Sequence, residues 1–188
     1  ANIPTAEYIC VSRHTIPKSR EIQNLLRFPV FVKPANMGSS IGVAKASSLK
    51  QLDQAISLAF EYDNRIIIEQ YIAGIEIECA VLSRNGFEAS VPGQVIPSNK
   101  YDFYSYESKY TDADGAECVI PAPLPESIAE QVQTMSINAC KALHCEGLVR
   151  VDMFLKEDGE LLLNELNTLP GFTENSMYRK LWQNSGVS

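Results

Sequence analysis

Acidic and amide side chains stand at matching places on two segments that the sequence predicts to pair as a hairpin. Arg150 and Asp152 alternate along one predicted strand, Glu165 and Asn167 follow on the next, and a turn at 157–159 separates them. Side chains two residues apart share a strand face, so this pairing brings Asp152, Glu165 and Asn167 together. Their oxygen atoms suit Mg²⁺, which also takes phosphate oxygens from a substrate. The alternative is an ordinary hairpin face in contact with solvent.

A loop of small residues follows a predicted strand that ends in Lys33. In Gly38-Ser39-Ser40-Ile41-Gly42 the glycines let backbone N–H groups approach a phosphate closely, and the hydroxyls add donors. Lys33 would supply a fixed positive charge beside them. The spacing is not that of the GxxxxGK[ST] phosphate loop. The alternative is an ordinary hairpin turn.

The segment Leu169-Pro170-Gly171-Phe172-Thr173 comes directly after the acidic strand. A glycine at this place can offer its backbone N–H to a developing oxyanion, with Arg150 as the charged partner. The alternative is a simple turn that leaves the strand.

An irregular stretch, residues 98–123, interrupts the regular pattern and contains the aromatic segment 101–110. A loop of this length inside a compact domain is typically a functional lid or is disordered. As a lid it would exclude water and bring Lys109 to a phosphate. The alternative is a surface loop whose aromatic rings pack on the domain.

The segment Glu69-Gln70-Tyr71-Ile72 is a strand that leads into a linker, and Glu76 follows. Such a segment can present backbone groups to a purine edge, and the later acid can accept from ribose hydroxyls. Taken alone this pattern is weak, and a strand without a ligand is the alternative.

Charge and composition exclude several classes of protein. The 188 residues contain 16 Lys and Arg against 23 Asp and Glu, which gives a net charge of −7. This balance offers no electrostatic attraction to nucleic acid or to an anionic membrane. The five cysteines form no CxxC pair, and only His14 and His144 accompany them, so neither a disulfide framework nor a zinc site is expected.

Hydrophobic periodicity predicts the elements that must position these groups. We expect strands at 28–33, 42–46, 65–71, 76–82, 87–96, 148–155 and 160–165, and helices at 49–62, 125–143 and 176–183. Ser48 is the expected N-cap of the first helix. This order predicts an α+β fold with mostly antiparallel sheets.

Read together, five segments resemble one family over nearly the whole chain. VKPANMGSSIGV, EQYIAGIEIECAVL, YDFYSYESKY, GLVRVDMFL and NELNTLPGFT occur in that order. They resemble the D-alanine–D-alanine ligase family of ATP-grasp enzymes. The resemblance implies an ATP-grasp fold in which two α+β subdomains with mostly antiparallel sheets hold ATP between them. Residues 1–69 would form the central subdomain, and residues 70–188 the C-terminal subdomain with the metal site and the lid loop 98–123.

The resemblance also implies a role for each site residue. Two Mg²⁺ (or Mn²⁺) ions would be bound by Asp152, Glu165 and Asn167, with Glu165 as the bridge. ATP would be bound by Lys33, Ser40, Glu69, Gln70, Tyr71, Ile72, Glu76, Phe103, Phe154 and Asn164. The catalytic groups would be Arg150 and Gly171 at the oxyanion, Ser39 and Tyr110 at the first D-alanine and Lys109 in the lid, with Ser176 near the second substrate.

The implied activity is an ADP-forming ligase reaction that joins two D-alanines for peptidoglycan precursors in the cytoplasm. One D-alanine carboxylate attacks the γ-phosphate of ATP, and the amine of the second attacks the resulting acyl phosphate. The substrates are small molecules, and the resemblance implies a homodimeric parent protein with no nucleic-acid or membrane partner. The lid sequence ESKY has no histidine, which favours D-alanine as the second substrate.

Three alternatives stay open beside this one. They are a ligase that takes D-lactate or D-serine second, another ATP-grasp ligase, and a nucleotide-binding module without catalysis. The family has an N-terminal domain with a substrate-binding glutamate and a further ATP-binding lysine, and neither lies in these residues. We therefore expect a fragment that carries the nucleotide and metal sites, lacks a complete amino-acid site and is inactive in isolation.

Overall fold

The computed structural model describes residues 2–98 and 116–187, and the chain forms two compact units. The first unit consists mainly of Ala6–Ile72; the second consists of Ala73–Ile96 and 117–187 together with residues 2–5. In the described part, the helices are α1 (Ser19–Leu26), α2 (Leu49–Tyr62), α3 (Glu126–Ala142) and α4 (Met177–Asn184). The strands are β1 (Tyr8–Ser12), β2 (Val30–Pro34), β3 (Ala44–Ala46), β4 (Arg65–Gln70), β5 (Ile75–Ser83), β6 (Phe87–Ala89), β7 (Gly93–Pro97), β8 (Ala116–Val119), β9 (Gly147–Leu155) and β10 (Leu161–Asn167).

The first unit is built on a four-stranded antiparallel sheet in the order β1-β4-β2-β3. Val32 of β2 and Ile68 of β4 are fully buried in a core that α1 and α2 complete. Successive strand residues point to opposite faces. Lys33 and Glu69 are the next residues on the same two strands, so they lie on the face away from this core.

Helix α2 begins where its sequence supplies a cap. The Ser48 side chain accepts a hydrogen bond from the Gln51 backbone N–H at 3.3 Å, an N-cap contact that typically stabilises a helix by ~1 kcal/mol. Leu52, Ile56 and Phe60 then recur on one face and are buried against the sheet. The helix is therefore fixed both by its cap and by its apolar face.

The second unit is built on a six-stranded sheet in the order β10-β9-β5-β7-β8, with β6 paired to β5. The ladders of β9 with β10, and of β5 with β6, β7 and β9, are antiparallel. Ile77 of β5 and Val151 of β9 pack with Val132 of α3 in the core of this unit. Glu78 and Asp152 are the following residues on the two central strands, so their side chains point to the opposite face.

Helix α4 lies against β5 and β7 of the second unit. The Tyr178 hydroxyl donates a hydrogen bond to the Val81 carbonyl at 3.0 Å. On β7, a Cβ added at Gly93 would come within 2.6 Å of the Met177 side chain and 2.9 Å of Leu181. The missing side chain at Gly93 therefore gives α4 the room to pack on the sheet.

Most of the predicted elements are confirmed, together with the α+β fold and its antiparallel sheets. The helix predicted over 49–62 has those bounds, and the hairpin predicted around Glu157–Gly159 is β9 and β10. The helices predicted at 125–143 and 176–183 begin one residue later than expected, at Glu126 and Met177.

Three features differ from the sequence-based expectation. The single strand predicted over 87–96 is two strands, β6 and β7, with Pro92 in the gap, where a ladder N–H is missing. The irregular stretch predicted over 98–123 contains strand β8, while residues 99–115 lie outside the described part. Strand β1 and helix α1 were not predicted.

No helix in the two described ranges is both long and apolar enough to cross a lipid bilayer. The sequence predicts that the first subdomain ends at residue 69, whereas the first compact unit extends to Ile72. The division into subdomains stays a prediction.

Candidate functional site

Three carboxylates stand side by side on the face of the second unit's sheet opposite the core that α3 completes. Glu78 of β5 is the register partner of Asp152 of β9, and Asp152 is the partner of Glu165 of β10. Glu78 and Asp152 are buried, with relative exposures of 2% and 1%, while Glu165 is exposed. We call Glu78, Asp152 and Glu165 the carboxylate row. It crosses three neighbouring strands at one level of the sheet.

A β-bulge in β10 explains how Glu165 reaches this face. Strict alternation along β10 would put Glu165 on the same face as Leu163, which packs into the core. The register with β9 shifts between Leu163 and Glu165, so Asn164 is the extra residue. Because of this shift, Leu163 and Leu166 both pack in the core of the second unit, and Glu165 faces the side of Asp152.

The Arg150 guanidinium is held by two members of the carboxylate row. Its Nε lies 2.8 Å from Asp152 Oδ1 and its Nη2 lies 2.7 Å from Asp152 Oδ2. The same Nε lies 3.1 Å from Glu78 Oε2. This geometry is a two-pronged contact to one carboxylate and a side contact to the other.

These contacts keep the guanidinium charged. Burial of Arg150 favours loss of its proton, but hydrogen bonding to Asp152 and the negative charges of Asp152, Glu78 and Glu165 outweigh burial and raise its pKa. Arg150 therefore supplies a fixed positive charge at the carboxylate row at every physiological pH.

Glu78 is a site residue that the sequence analysis missed. The available signal was the alternation Glu76-Ile77-Glu78 within EQYIAGIEIECAVL, which puts both acids on one strand face. The structure places Glu76 opposite Phe154 and Glu78 opposite Asp152 in the β5–β9 ladder. The same reasoning that grouped Arg150 with Asp152 would have found Glu78.

The carboxylates of the second unit fit a divalent cation. Glu76, Glu78 and Asp152 each present an oxygen atom such that the three oxygens lie within 4.8 Å of one another. Glu165, the register partner of Asp152, adds a fourth carboxylate on the same side of the sheet. The donor set is all oxygen, which is the chemistry that Mg²⁺ prefers.

The residues predicted to bind metal are thus brought together in part. Asp152 and Glu165 are register partners, and Asn167 stands two residues further along the ladder, opposite Arg150. Asn164 lies at the bulge of the same strand. The metal role of Asp152, Glu165 and Asn167 stays a prediction that this placement supports.

The predicted oxyanion residue Gly171 lies in the exposed loop before α4. A Cβ built on it would be 3.6 Å from the Ser176 side chain, so the two predicted residues are neighbours. The Ser176 hydroxyl donates a hydrogen bond to the Thr173 carbonyl at 2.7 Å, which shapes the loop. The next residue, Phe172, is largely exposed, and its ring centre lies 6.0 Å from that of Tyr178.

In the first unit, Lys33 of β2 forms an ion pair with Glu69 of β4. Both side chains are mostly buried, with exposures of 26% and 17%. Lys33 is aligned with Ile67, and Glu69 with Phe31, so the pair runs diagonally across the ladder. Two residues predicted for nucleotide binding are therefore in direct contact.

Aromatic and basic side chains accompany this pair. The Tyr71 ring lies 6.1 Å from the Phe31 ring, and the Lys45 ammonium sits 4.5 Å from the centre of the Tyr71 ring. The second contact is a cation–π interaction. Sequence reasoning singled out Tyr71 but missed Phe31 and Lys45, which the pairing of β2 with both β3 and β4 brings to the same place.

The backbone of the predicted base-binding segment is partly engaged within the first unit. The Gln70 N–H donates to the Glu7 carbonyl at 2.9 Å, and the Tyr71 N–H donates to the Pro29 carbonyl at 3.1 Å. These two N–H groups are therefore used by the fold. If this segment binds a base, as predicted, other groups such as those of Ile72 would have to make the contact.

The loop after β2 has an unusual backbone. Ser39 and Ser40 both have a φ of 58°, in the left-handed region that residues with a side chain seldom adopt. Gly42 also has a positive φ of 72°, and a Cβ there would lie 2.6 Å from the Tyr62 ring and 2.9 Å from Pro34. Backbone strain of this kind concentrates at functional loops. The loop therefore follows a tight path that depends on glycine at position 42, and its binding of phosphate stays a prediction.

Three predicted residues, Phe103, Lys109 and Tyr110, lie outside the described residues. Their roles stay predictions.

Comparisons with known proteins agree on one family. A family model described as the C-terminus of D-ala D-ala ligase matches residues 1–188. The chain is 53% identical over 163 residues to the D-alanine–D-alanine ligase of Oceanobacillus iheyensis, a match that covers 87% of this chain and 44% of the relative. It is 47% identical over 176 residues to D-alanine–D-alanine ligase A of Escherichia coli (strain K12), covering 94% of this chain and 48% of the relative.

Solved structures give the same result. The D-alanine–D-alanine ligase of Coxiella burnetii superposes with a TM-score of 0.84 at 34% identity, covering 98% of this chain and 48% of that protein. The VanG D-Ala:D-Ser ligase of Enterococcus faecalis superposes with a TM-score of 0.86 at 34% identity, covering 99% and 54%. The chain spans about half the length of the curated relatives it matches. By its sequence, its fold and the match along its whole length, the chain belongs to the D-alanine–D-alanine ligase family, as the C-terminal part of such a protein.

Proposed function

We propose that this chain is the nucleotide- and metal-binding part of an ATP-dependent ligase that joins two D-alanines with release of ADP and phosphate. The observation that carries the proposal is the carboxylate row with Arg150 fixed beside it. Asp152 and Glu165 of this row would offer oxygen ligands for a metal-bound nucleotide, and Arg150 would offer a permanent positive charge for a developing oxyanion. The relatives that are named D-alanine–D-alanine ligase, at 47% to 53% identity, support the choice of substrate.

Asp152, Glu165 and Asn167 are the residues that would hold Mg²⁺ or Mn²⁺, and we propose two ions. Metal ions bound there would neutralise charge on the transferring phosphoryl group. The support is the pairing of Asp152 with Glu165 across β9 and β10 and the closeness of carboxylate oxygens in this part of the second unit.

For ATP, we propose that Lys33 and the backbone at Ser40 contact phosphates. Lys33 already carries its charge on the face away from the core, where Glu69 is its partner. Ile72 and the carbonyl groups of its segment would contact the base, because the Gln70 and Tyr71 N–H groups are used by the fold. Glu76 would accept from the ribose, and Phe154, its register partner, would lie beside the nucleotide.

The proposed reaction has two steps. A carboxylate oxygen of the first D-alanine takes the γ-phosphoryl group of ATP, which gives an acyl phosphate and ADP. The amine of the second D-alanine then attacks the acyl carbon, and phosphate leaves with the bonding electrons. Arg150 and the Gly171 N–H would stabilise the tetrahedral oxyanion. Ser39 and Tyr110 would position the first D-alanine, and Ser176 would contact the second. Lys109 would contact the γ-phosphate.

A D-serine-joining ligase is the second candidate, because the VanG D-Ala:D-Ser ligase shares the fold with a TM-score of 0.86. The identity to that protein is 34%, lower than to the relatives named D-alanine–D-alanine ligase. We therefore propose D-alanine as the second substrate. We also propose that the whole protein is a homodimer and that it makes peptidoglycan precursors in the cytoplasm, where ATP is available.

The test is phosphate release by a full-length protein that contains this chain, with ATP, Mg²⁺ and D-alanine. D-serine and D-lactate replace the second substrate in parallel reactions, and the products are separated by mass. The proposal predicts D-alanyl-D-alanine as the main product. No phosphate release above the rate without D-alanine would contradict it, and a mixed product with D-serine would favour the second candidate.

A further inference from the structure

Asp152 has two roles that compete, because it binds Arg150 and is also proposed to bind a metal ion. Both of its carboxylate oxygens are engaged by Arg150, at 2.8 Å and 2.7 Å. The proposed function also gives Asp152 an oxygen to share with a divalent cation. Mg²⁺ holds its oxygen ligands at ~2.0–2.1 Å in a strict geometry, and a cation this close repels a guanidinium. A turn of Asp152 toward the metal therefore weakens its hold on Arg150.

Glu78 lies where it can keep Arg150 in place when Asp152 turns toward a metal ion. Its Oε2 lies 3.1 Å from Arg150 Nε, on the side of β5, opposite the strand from which Glu165 approaches. Strand β5 is paired on both sides at this level, with Gly93 of β7 and Asp152 of β9 as the partners of Glu78. A carboxylate on a central strand has little backbone freedom, so its position is well defined.

The burial of Glu78 strengthens its electrostatic attraction to Arg150. Only 2% of the residue is exposed. The neighbouring position on β7 is Gly93, over which Met177 and Leu181 of α4 pack. Water is largely excluded from this end of the carboxylate row, and opposite charges attract each other more strongly in a poorly solvated place than at the surface.

We propose that Glu78 is a positioning residue that holds Arg150 in place and thereby leaves Asp152 able to bind a metal ion. The inference rests on the proposed function, since it takes the metal role of Asp152 and the oxyanion role of Arg150 from it. Glu78 touches neither substrate nor metal in this account. It acts through the guanidinium.

Two other roles for Glu78 make different predictions. Glu78 as a direct metal ligand is one, because its oxygen lies within 4.8 Å of oxygens of Glu76 and Asp152. A purely structural ion pair is the other. A double-mutant cycle with Arg150 separates the three roles, because only a residue that acts through Arg150 loses its effect when Arg150 is absent.

The experiment compares four forms of the full-length protein: unchanged, Glu78→Gln, Arg150→Gln and the double variant. Glu78→Gln keeps the size of the side chain and removes its charge. The first measurement is the dissociation constant of Mn²⁺ in the presence of ADP, from the electron paramagnetic resonance signal of free Mn²⁺. It needs no turnover. Glu88→Gln, on the exposed part of β6, is the matched control and leaves the constant unchanged.

The expected result is that Glu78→Gln weakens Mn²⁺ binding ~10-fold while Arg150 is present, within the range seen for residues that support metal ligands. In the Arg150→Gln background the same change weakens binding by no more than about 2- to 3-fold, because only a nearby charge is lost. An equal or larger effect without Arg150 would show that Glu78 is a ligand and overturn the proposal. No effect in either background would overturn it too.

The second measurement is the split between kcat and KM. Glu78→Gln should lower kcat ~10-fold or more with KM for ATP within about 3-fold, and Glu78→Asp, which restores the charge, should recover part of the loss. A loss of thermal stability with unchanged kcat would identify a structural ion pair and overturn the proposal. If the unchanged protein forms no D-alanyl-D-alanine, the proposed function fails, while the Mn²⁺ cycle still decides whether Glu78 acts through Arg150.

Discussion

Asp152 and Glu165 stand directly opposite each other on β9 and β10, although Glu165 follows a residue that breaks the alternation of its strand. The two acids come from the two arms of one hairpin, and Asp152 is buried while Glu165 is exposed. One carboxylate is therefore fixed by its surroundings, and the other is accessible to a ligand from solution. This arrangement is suited to a metal ion that arrives together with a nucleotide.

Replacement of Glu165 by Gln should lower kcat by at least ~100-fold, because it removes a negative charge that would hold the metal ions that neutralise the transferring phosphoryl group. The measurement is steady-state phosphate release at saturating ATP and D-alanine. Glu157→Gln, in the exposed turn of the same hairpin, is the control and should keep normal activity. Activity of the Glu165 variant within a few-fold of normal would refute the metal role.

Replacement of Lys33 by Gln should raise the KM for ATP about 10-fold or more, since a hydrogen bond to a charged group contributes ~1.5–3 kcal/mol. KM for D-alanine should change much less. Lys50→Gln, on the exposed side of α2, is the matched control. If the Lys33 variant binds ATP normally, its ion pair with Glu69 is a structural contact and the proposed phosphate role is wrong.

Replacement of Tyr178 by Phe should destabilise the protein by ~1 kcal/mol, because the Val81 carbonyl loses its buried hydroxyl donor. The measurement is the urea concentration at the midpoint of unfolding. Tyr62→Phe removes a hydroxyl from a side chain that is 46% exposed and should shift the midpoint little. Equal effects of the two substitutions would mean that the bond to Val81 contributes nothing.

The cysteines should differ sharply in reactivity toward an alkylating reagent. Burial raises the pKa of the Cys79 thiol to about 11 and that of the Cys140 thiol to about 12. Only the thiolate reacts, so at pH 8 both stay protonated and shielded, while the exposed Cys10 and Cys118 are open to the reagent. Burial raises the pKa of Cys118 as well, so its labelling should accelerate as the pH rises.

Mass spectrometry of the labelled peptides checks this order. Native protein should carry label at Cys10 and Cys118 first, and Cys79, Cys140 and Cys145 should react only after denaturation. Rapid labelling of Cys79 in the native protein would show that the core of the second unit opens easily, contrary to its full burial.

Strong local signals made much of the fold predictable. Helix α2 has both a cap at Ser48 and a long apolar face, so sequence reasoning found both of its ends. Helix α1 has only Ile22 and Leu26 as buried residues in eight, which is too few to define a period. Among the described residues, strand β1 pairs only with β4, and it is half exposed, so its pattern is equally weak.

The positions of site residues were predictable where alternation along one strand determines which face they share. They were less predictable where the pairing between strands brings residues together. Arg150 and Asp152 share a face because they are two residues apart, and the structure confirms that they meet. The bulge at Asn164 interrupts the alternation of β10, since two polar residues separate Leu163 from Leu166, but the ladder with β9 is needed to show which residue is the extra one. Lys45 reaches Tyr71 only because β3 and β4 both pair with β2, a relation that no local pattern carries.

The bulge gives β10 one residue more than β9 has over the same stretch. If Asn164 were removed, Leu163 and Glu165 would be adjacent, and simple alternation would still place them on opposite sides of the sheet. Leu166 would stay in the hydrocarbon interior against α3, and Glu165 would stay beside Asp152. Loss of this one residue would thus remove the Asn164 side chain but would keep both Glu165 and the interior in place. Loss of one residue from β9 at the same level would instead exchange the two sides of everything that follows on that strand, so β10 is the arm of the hairpin that can accept a shorter length.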